Sequence, residues 1–245
     1  MKNLMALGAL GFFLGPAVDA IHNQVLLDYS ILPVKVQTYF GTATTSIIVP
    51  PLLSVAYCLL GVILPDAVKR IVGTASVETP LSITNIASSQ RAFLAICSTV
   101  AIVRTSALLA GANNAAGAAP LFLLSAMALA QWLVLDASAA SLALAAAAAV
   151  LGPIAEIPFM AAGAWHYTRP DYWPLTPFGL GPESGAGWAG LSSLTGPCYF
   201  AVTTDAVALG RWLLDLERAP SHAPGPGPPA DADSDGHRHA DSDGQ

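Results

Sequence analysis

Residues 138–164 read SAASLALAAAAAVLGPIAEIPFMAAGA, from Ser138 to Ala164, with Glu156 as the one ionisable side chain. A run this long and this apolar decides the fold. A helix needs about 20 mostly apolar residues to cross a bilayer, whereas the helices of soluble domains carry a polar face. Five further blocks of the same kind lie on either side of it: Leu4 to Leu27, Thr44 to Leu64 (ending at Pro65), Ala92 to Ala110, Ala118 to Leu135 and Trp188 to Leu214. Backbone groups in lipid must be satisfied within their own segment, so helices are the default. The expectation is an all-α membrane protein, a six-helix transmembrane bundle spanning residues 1–218. No alternating strand pattern of the barrel type occurs.

Composition agrees. The chain is 54% hydrophobic and 11% charged, against roughly a quarter charged in soluble domains. The net charge of −6 is concentrated at one end, where Asp231, Asp233, Asp235, Asp241 and Asp243 lie. The rest of the chain is nearly balanced and has no basic patch, so a nucleic-acid partner is not expected. Residues 219–245 are rich in Pro, Gly, Asp and His and lack aliphatic side chains beyond alanine. Such a segment cannot offset its ordering entropy and is expected to be a disordered acidic tail. His237 and His239 among those aspartates offer a loose metal site; a solvated tail is the plainer reading, and neither metal nor cofactor is expected. Cys58, Cys97 and Cys198 lie in apolar segments at spacings that match no zinc or redox motif, so they read as buried packing residues without a disulfide.

Loop charges suggest an orientation. With the N-terminus in the cytosol, Lys2, Lys69, Arg70, Arg91, Arg211 and Arg218 fall on the cytosolic side, and Lys35 and Arg169 on the other. That asymmetry favours both termini in the cytosol. The first block also resembles a signal peptide, with Ala17-Val18-Asp19-Ala20 as a small-residue cleavage site. Its apolar run continues through Ile21 and Val25 to Leu27, however, and an uncleaved first helix is expected. The Pro- and Gly-rich stretch Trp173 to Gly187 reads as an irregular loop on the lumenal side. Trp132, Trp165, Tyr167, Tyr172, Trp173, Trp188 and Trp212 cluster near span ends, as aromatic belts do.

Ionisable residues inside spans are costly and therefore informative. Asp19, His22 and Asn23 stand at i, i+3 and i+4, on one helix face. They form a binding or proton-handling face, with an Asp19–His22 pair, if the helix continues past them. If the span ends near Asp19, they form a polar cap instead. Glu156 lies between Pro153 and Pro158, each of which removes a backbone donor. A broken helix there would line a cavity or be buried in protein; the carboxyl is then either a ligand site or a structural partner for a freed carbonyl. Arg104 is central in the third block and needs an acid, with Glu156, Asp19 and Asp205 as candidates. Asp136 ends the fourth block, at the interface. No nucleophile elbow, zinc-protease helix, phosphate loop or dinucleotide fingerprint is present, so an enzyme is not expected.

Several segments together resemble the Insig (insulin-induced gene) family. Phe12-Phe13-Leu14-Gly15 is similar to its Phe-Phe-x-Gly in helix one. Val49-Pro50-Pro51, Gly61, Pro65, Lys69 and Arg70 are similar to its second helix and the cytosolic end of that helix. Asn113-Asn114 matches an asparagine pair after helix three, and Trp132 with Asp136 a Trp-x-x-x-Asp closing helix four. The strongest piece is Tyr167-Thr168-Arg169-Pro170-Asp171-Tyr172, similar to Tyr-Thr-x-Pro-Asp-aromatic. Pro197-Cys198 and then Gly210-Arg211 resemble the last helix. The match runs over most of residues 10–214. The chain departs from the animal pattern at Asp19, His22, Glu156 and Asp205, near Val202 and Thr203, where a glycine pair is replaced, and in its longer Trp173–Gly187 loop, which marks a distant branch.

The resemblance implies a six-helix protein of the endoplasmic reticulum membrane. Animal members bind oxysterols and retain sterol-sensing-domain proteins, the SREBP cleavage-activating protein and HMG-CoA reductase. Asp136 matches the position tied to partner engagement. The expected function is a lipid- or sterol-responsive regulator or scaffold that retains or modulates a membrane partner, with a homo-oligomer among the expected assemblies and Asp19, His22, Asn23, Arg104 and Glu156 as ligand-binding candidates. A small transporter or proton-coupled carrier using the intramembrane carboxylates is the alternative; a plastid membrane is the second location left open.

Overall fold

The structure, a computed structural model, describes residues 2–38, 41–72, 86–112 and 117–218. Asn113-Asn114 and the tail from residue 219 lie outside the described residues.

Helix α1 (Lys2–Leu26) is followed by strands β1 (Leu27–Tyr29), β2 (Pro33–Thr38) and β3 (Gly41–Ser46). Helices α2 (Val49–Cys58) and α3 (Leu64–Val72) are joined by a π-helical turn, Leu59–Ile63, so that one rod runs from residue 49 to 72. Then come α4 (Ser88–Gly111), α5 (Ala118–Leu135), α6 (Ala139–Ala161), β4 (Trp165–Tyr167) and α7 (Thr195–Arg218). The second crossing therefore differs from its sequence reading at both ends. Thr44 to Ser46 belong to the β2–β3 hairpin, and the helix starts at Val49 with Pro50-Pro51 in its first turn, where their missing N–H groups cost nothing. It also continues past Pro65, which sits in the first turn of α3. The sixth crossing starts later than Trp188, because residues 187–189 form a separate 3₁₀ turn.

Among the described residues, five rods are long and apolar enough to span a membrane: Lys2–Asn23, Val49–Ile71, Ser88–Gly111, Ala118–Leu135 and Ala139–Ala161. The sixth, α7, carries Asp205, Arg211, Asp215, Glu217 and Arg218, yet it is the axis of the molecule. It packs against α1, α4, α5, α6 and the π-helical turn. A helix ringed by protein touches little lipid, and its polar groups can be satisfied by neighbours. Gly210 lies against the Gly61 carbonyl and Gly61 against the Ala206 carbonyl, so a Cβ at either position would strike backbone. Small residues of this kind let transmembrane backbones approach closely. The chain is a multi-pass membrane protein.

Helix α6 starts from a Ser138 cap, whose hydroxyl accepts the Ser141 N–H at 3.2 Å. It runs unbroken through Pro153 and Pro158, which corrects the expected break beside Glu156. The short ribbon β1–β4 pairs Leu27 with Tyr167 and Tyr29 with Trp165, antiparallel. Alternate residues of a strand face one side, so Tyr29, Trp165 and Tyr167 all turn into the bundle while Asp28 and His166 face out. The loop before α7 holds three short 3₁₀ turns and is closed by an antiparallel bridge between Tyr172 and Leu191.

Candidate functional site

A cavity of about 320 Å³ opens inside the half of the bundle that faces the β1–β4 ribbon. Helices α1, α2, α6 and α7 supply most of its wall, and Val103 of α4 joins them. The wall is mainly apolar, with Val18, Val49, Leu53, Ala56, Phe159 and Val202. One polar cluster interrupts it.

The cluster has two acidic centres. On α1, Asn23 donates from Nδ2 to Asp19 Oδ2 at 2.7 Å and to Tyr29 Oη at 2.7 Å. Tyr29 in turn donates to Asp19 Oδ2 at 3.1 Å. On α6, Glu156 accepts from Tyr199 at 2.7 Å through Oε1, and from Tyr167 at 2.8 Å and Trp165 Nε1 at 3.4 Å through Oε2. Tyr167 also meets Thr195 Oγ1 at 3.1 Å. Burial, followed by the neighbouring carboxylates, pushes the phenols of Tyr29 and Tyr167 well above their ordinary range, so both stay hydroxyl donors. The Tyr29 ring lies 6.0 Å from that of Trp165, which stacks on Phe159 at 5.4 Å.

Asp19, His22 and Asn23 do share one face of α1, and the helix continues past them to Leu26. Asp19 and His22 do not pair, however. His22 Nδ1 stands 2.6 Å from Ser106 Oγ on α4 and 3.8 Å from Cys198 Sγ. The i+4 amide of Asn23 takes Asp19 instead, because it reaches the carboxylate and the Tyr29 hydroxyl at once. Arg104 does not line this cavity. Its three candidate acids are served by neutral donors, with Asp205 accepting from Tyr57 at 2.8 Å.

Asp136 caps α5 but turns inward, 1% exposed. It pairs with Arg211 of α7 and accepts from Ser138 Oγ at 2.7 Å. Trp132 is a clamp on the same turn, donating to Ser141 Oγ at 3.0 Å.

The Tyr167–Tyr172 segment ties the loops to the helices. Thr168 donates from N to the Leu26 carbonyl at 2.9 Å and from Oγ1 to that of Val25 at 2.8 Å, closing the end of α1. Asp171 accepts from Ser193 N at 2.7 Å and Ser193 Oγ at 2.6 Å. Pro170 fills the space that a Cβ on Gly190 would need. Pro197 and Cys198 open α7, where Cys198 reaches the cavity; of the other cysteines Cys58 is half-buried and Cys97, unlike its sequence reading, is exposed.

Tyr29, Tyr57 and Tyr199 are not among the site residues that the sequence suggests, which puts Trp165 in the aromatic belt and Tyr167 both there and in the Tyr-Thr-x-Pro-Asp-aromatic motif. The available signal was that the intramembrane acids require donors, and tyrosine is the aromatic that supplies one.

No protein-family model matches the chain, and no curated protein sequence is similar to it. Solved structures do match, two of them as follows. A mycobacterial Insig homolog, MvINS from Mycobacterium vanbaalenii, superposes with a TM-score of 0.59 at 21% identity, over 87% of this chain and 95% of that one. A cross-linked trimer of an MvINS cysteine variant gives a TM-score of 0.60 at 22% identity, over 90% and 97%. The chain therefore has the fold of the Insig homolog, at the distance in sequence that the departures in its spans indicate.

Proposed function

We propose that this protein is a non-enzymatic, lipid-binding regulator of the Insig type, which holds or modulates a membrane partner according to the lipid in its cavity. The observation that carries the reading is the cavity itself. It combines a largely apolar wall with a few convergent polar groups, the pattern of a small-molecule site, and it sits among helices that lipid surrounds. Leu52 and Phe159, apolar side chains of its wall, keep more than a third of their surface exposed, as an apolar lipid chain in contact with them would need.

A bound lipid regulates only if it prefers one arrangement of the helices. Helices α1, α2, α6 and α7 all contribute to the cavity, so occupancy bears on their relative packing. Asp136 is enclosed by Arg211 and Ser138, so a role in partner engagement runs through the α5–α7 contact that it holds. The protein named in the second structural match was captured as a trimer, and a homo-oligomer in the endoplasmic reticulum membrane, with both termini cytosolic, completes the proposal.

The test is purification in a mild detergent, extraction, and mass spectrometry of the retained lipids, with competition by radiolabelled sterol and diacylglycerol. A stoichiometric lipid that is lost on filling the cavity with Ala56→Trp supports the reading. Protein that carries no lipid and takes up neither probe overturns it.

A further inference from the structure

The hydrogen-bond accounting of the cavity wall points to the head group of the ligand, given that a lipid occupies the cavity as proposed above. Four phenols line it, and each has a single hydroxyl hydrogen. Tyr29 gives its hydrogen to Asp19, Tyr57 to Asp205, and Tyr167 and Tyr199 to Glu156. With Tyr167 donating to Glu156, Thr195 is the donor in its contact with Tyr167. The Asn23 amide nitrogen serves Asp19 and Tyr29, and the Trp165 indole serves Glu156. Among the described residues of the wall, the strong donors are committed.

The unfilled valences are acceptors. Ser106 donates its hydroxyl to the Val103 carbonyl at 2.7 Å, so it accepts from His22 Nδ1–H. In the neutral ring this leaves Nε2 with a bare lone pair, and among the described residues Nε2 has no partner. Asn23 Oδ1 likewise has none. Both residues stand in the cavity wall, His22 at 7% and Asn23 at 2% exposed, but these two atoms are themselves enclosed, so the acceptors a ligand reaches are the half-buried carboxyls. Asp19 and Glu156 add two carboxyls, near enough to interact electrostatically, and no lysine or arginine lines the cavity among the described residues.

A ligand that fits must bring donors, and a positive charge offsets one of the two acids. An ammonium group supplies three N–H donors and the charge together. A phosphate head group brings acceptors and negative charge, and is repelled. We infer that the cavity selects a long-chain lipid with an unphosphorylated primary-amine head group, of the sphingoid-base type, seated between Asp19 and Glu156 with its chain along the apolar wall.

The test compares three probes on the full-length protein in detergent: sphinganine, N-acetylsphinganine and diacylglycerol. N-acetylation removes the charge and leaves the chain and hydroxyls in place, so this arm does not depend on any variant folding. Sphinganine is expected to bind tighter than its acetylated form by roughly ten- to hundred-fold, the scale of one charge-assisted hydrogen bond. In Asp19→Asn/Glu156→Gln that ratio is expected to fall towards one. Equal or weaker binding of the amine, or a preference unchanged in the double variant, overturns the head-group assignment. If diacylglycerol then binds, the lipid-binding reading stands without it. If no probe binds, both fail.

Discussion

Tyr199 of α7 donates its hydroxyl to Glu156 of α6 at 2.7 Å, across the wall of the cavity. Gly152, one turn before Glu156, leaves the space in which the Tyr199 ring lies, and a Cβ there would strike that ring. The pair thus depends on a small residue on one helix and a single hydroxyl on the other. Tyr199→Phe removes that donor and leaves Glu156 Oε1 desolvated, at a cost of about 1–3 kcal/mol. Glu156→Gln in the same background is expected to cost less than the sum of the two single changes, because they share one interaction. Thermal unfolding in detergent of both single variants and the double variant measures this; additive losses would mean that the contact is not made.

Breaking the Asp136–Arg211 pair is expected to be more damaging. Arg211→Ala strands a carboxylate that is 1% exposed. Removing one partner of a buried pair costs about 3–5 kcal/mol, and the partial exposure of Arg211 places this case at the low end. Asp136→Asn combined with Arg211→Gln leaves no unpaired charge and is expected to recover most of the loss. The unfolding midpoints of the single and double variants decide it, and a harmless Arg211→Ala contradicts the buried pairing.

The crossing of α7 with the π-helical turn admits no side chain. Gly210→Ala drives a methyl group into the Gly61 carbonyl, and overpacking of this kind costs about 1–3 kcal/mol. Gly187→Ala is the control, since a Cβ there meets nothing. A fall in midpoint for the first change and none for the second is expected; equal behaviour of the two contradicts the close approach.

Ala56→Trp separates cavity from fold. Ala56 lines the cavity and is half-buried, so the indole grows into empty space and not into packed core. The expected outcome is a protein that elutes as wild type on size exclusion and retains no lipid. A variant that keeps its lipid places the ligand elsewhere.

The helical crossings were legible because hydropathy is a local property: span four, Ala118 to Leu135, is read off to the residue. Local propensity misled where tertiary context overrides it. Pro153 and Pro158 suggest a break, yet α6 passes through them. Thr44 to Ser46 look like the start of a span, yet they pair with β2. In the site, the i, i+3, i+4 spacing correctly gathered Asp19, His22 and Asn23 on one face. It did not reveal that Asp19 turns to Asn23 and Tyr29 while His22 turns to Ser106, 84 positions away.

By itself, the order of residues determined that this chain crosses a membrane repeatedly and that its few intramembrane acids must turn inward, since lipid offers neither donors nor counter-charge. Only the tertiary structure decided which groups meet them. The donors to Glu156 come from β4 and α7, and the donor to Asp205 comes from α2, 148 positions earlier. Hydrogen bonds are short-ranged and directional, so which partners meet depends on how the helices pack and not on the composition of any one of them.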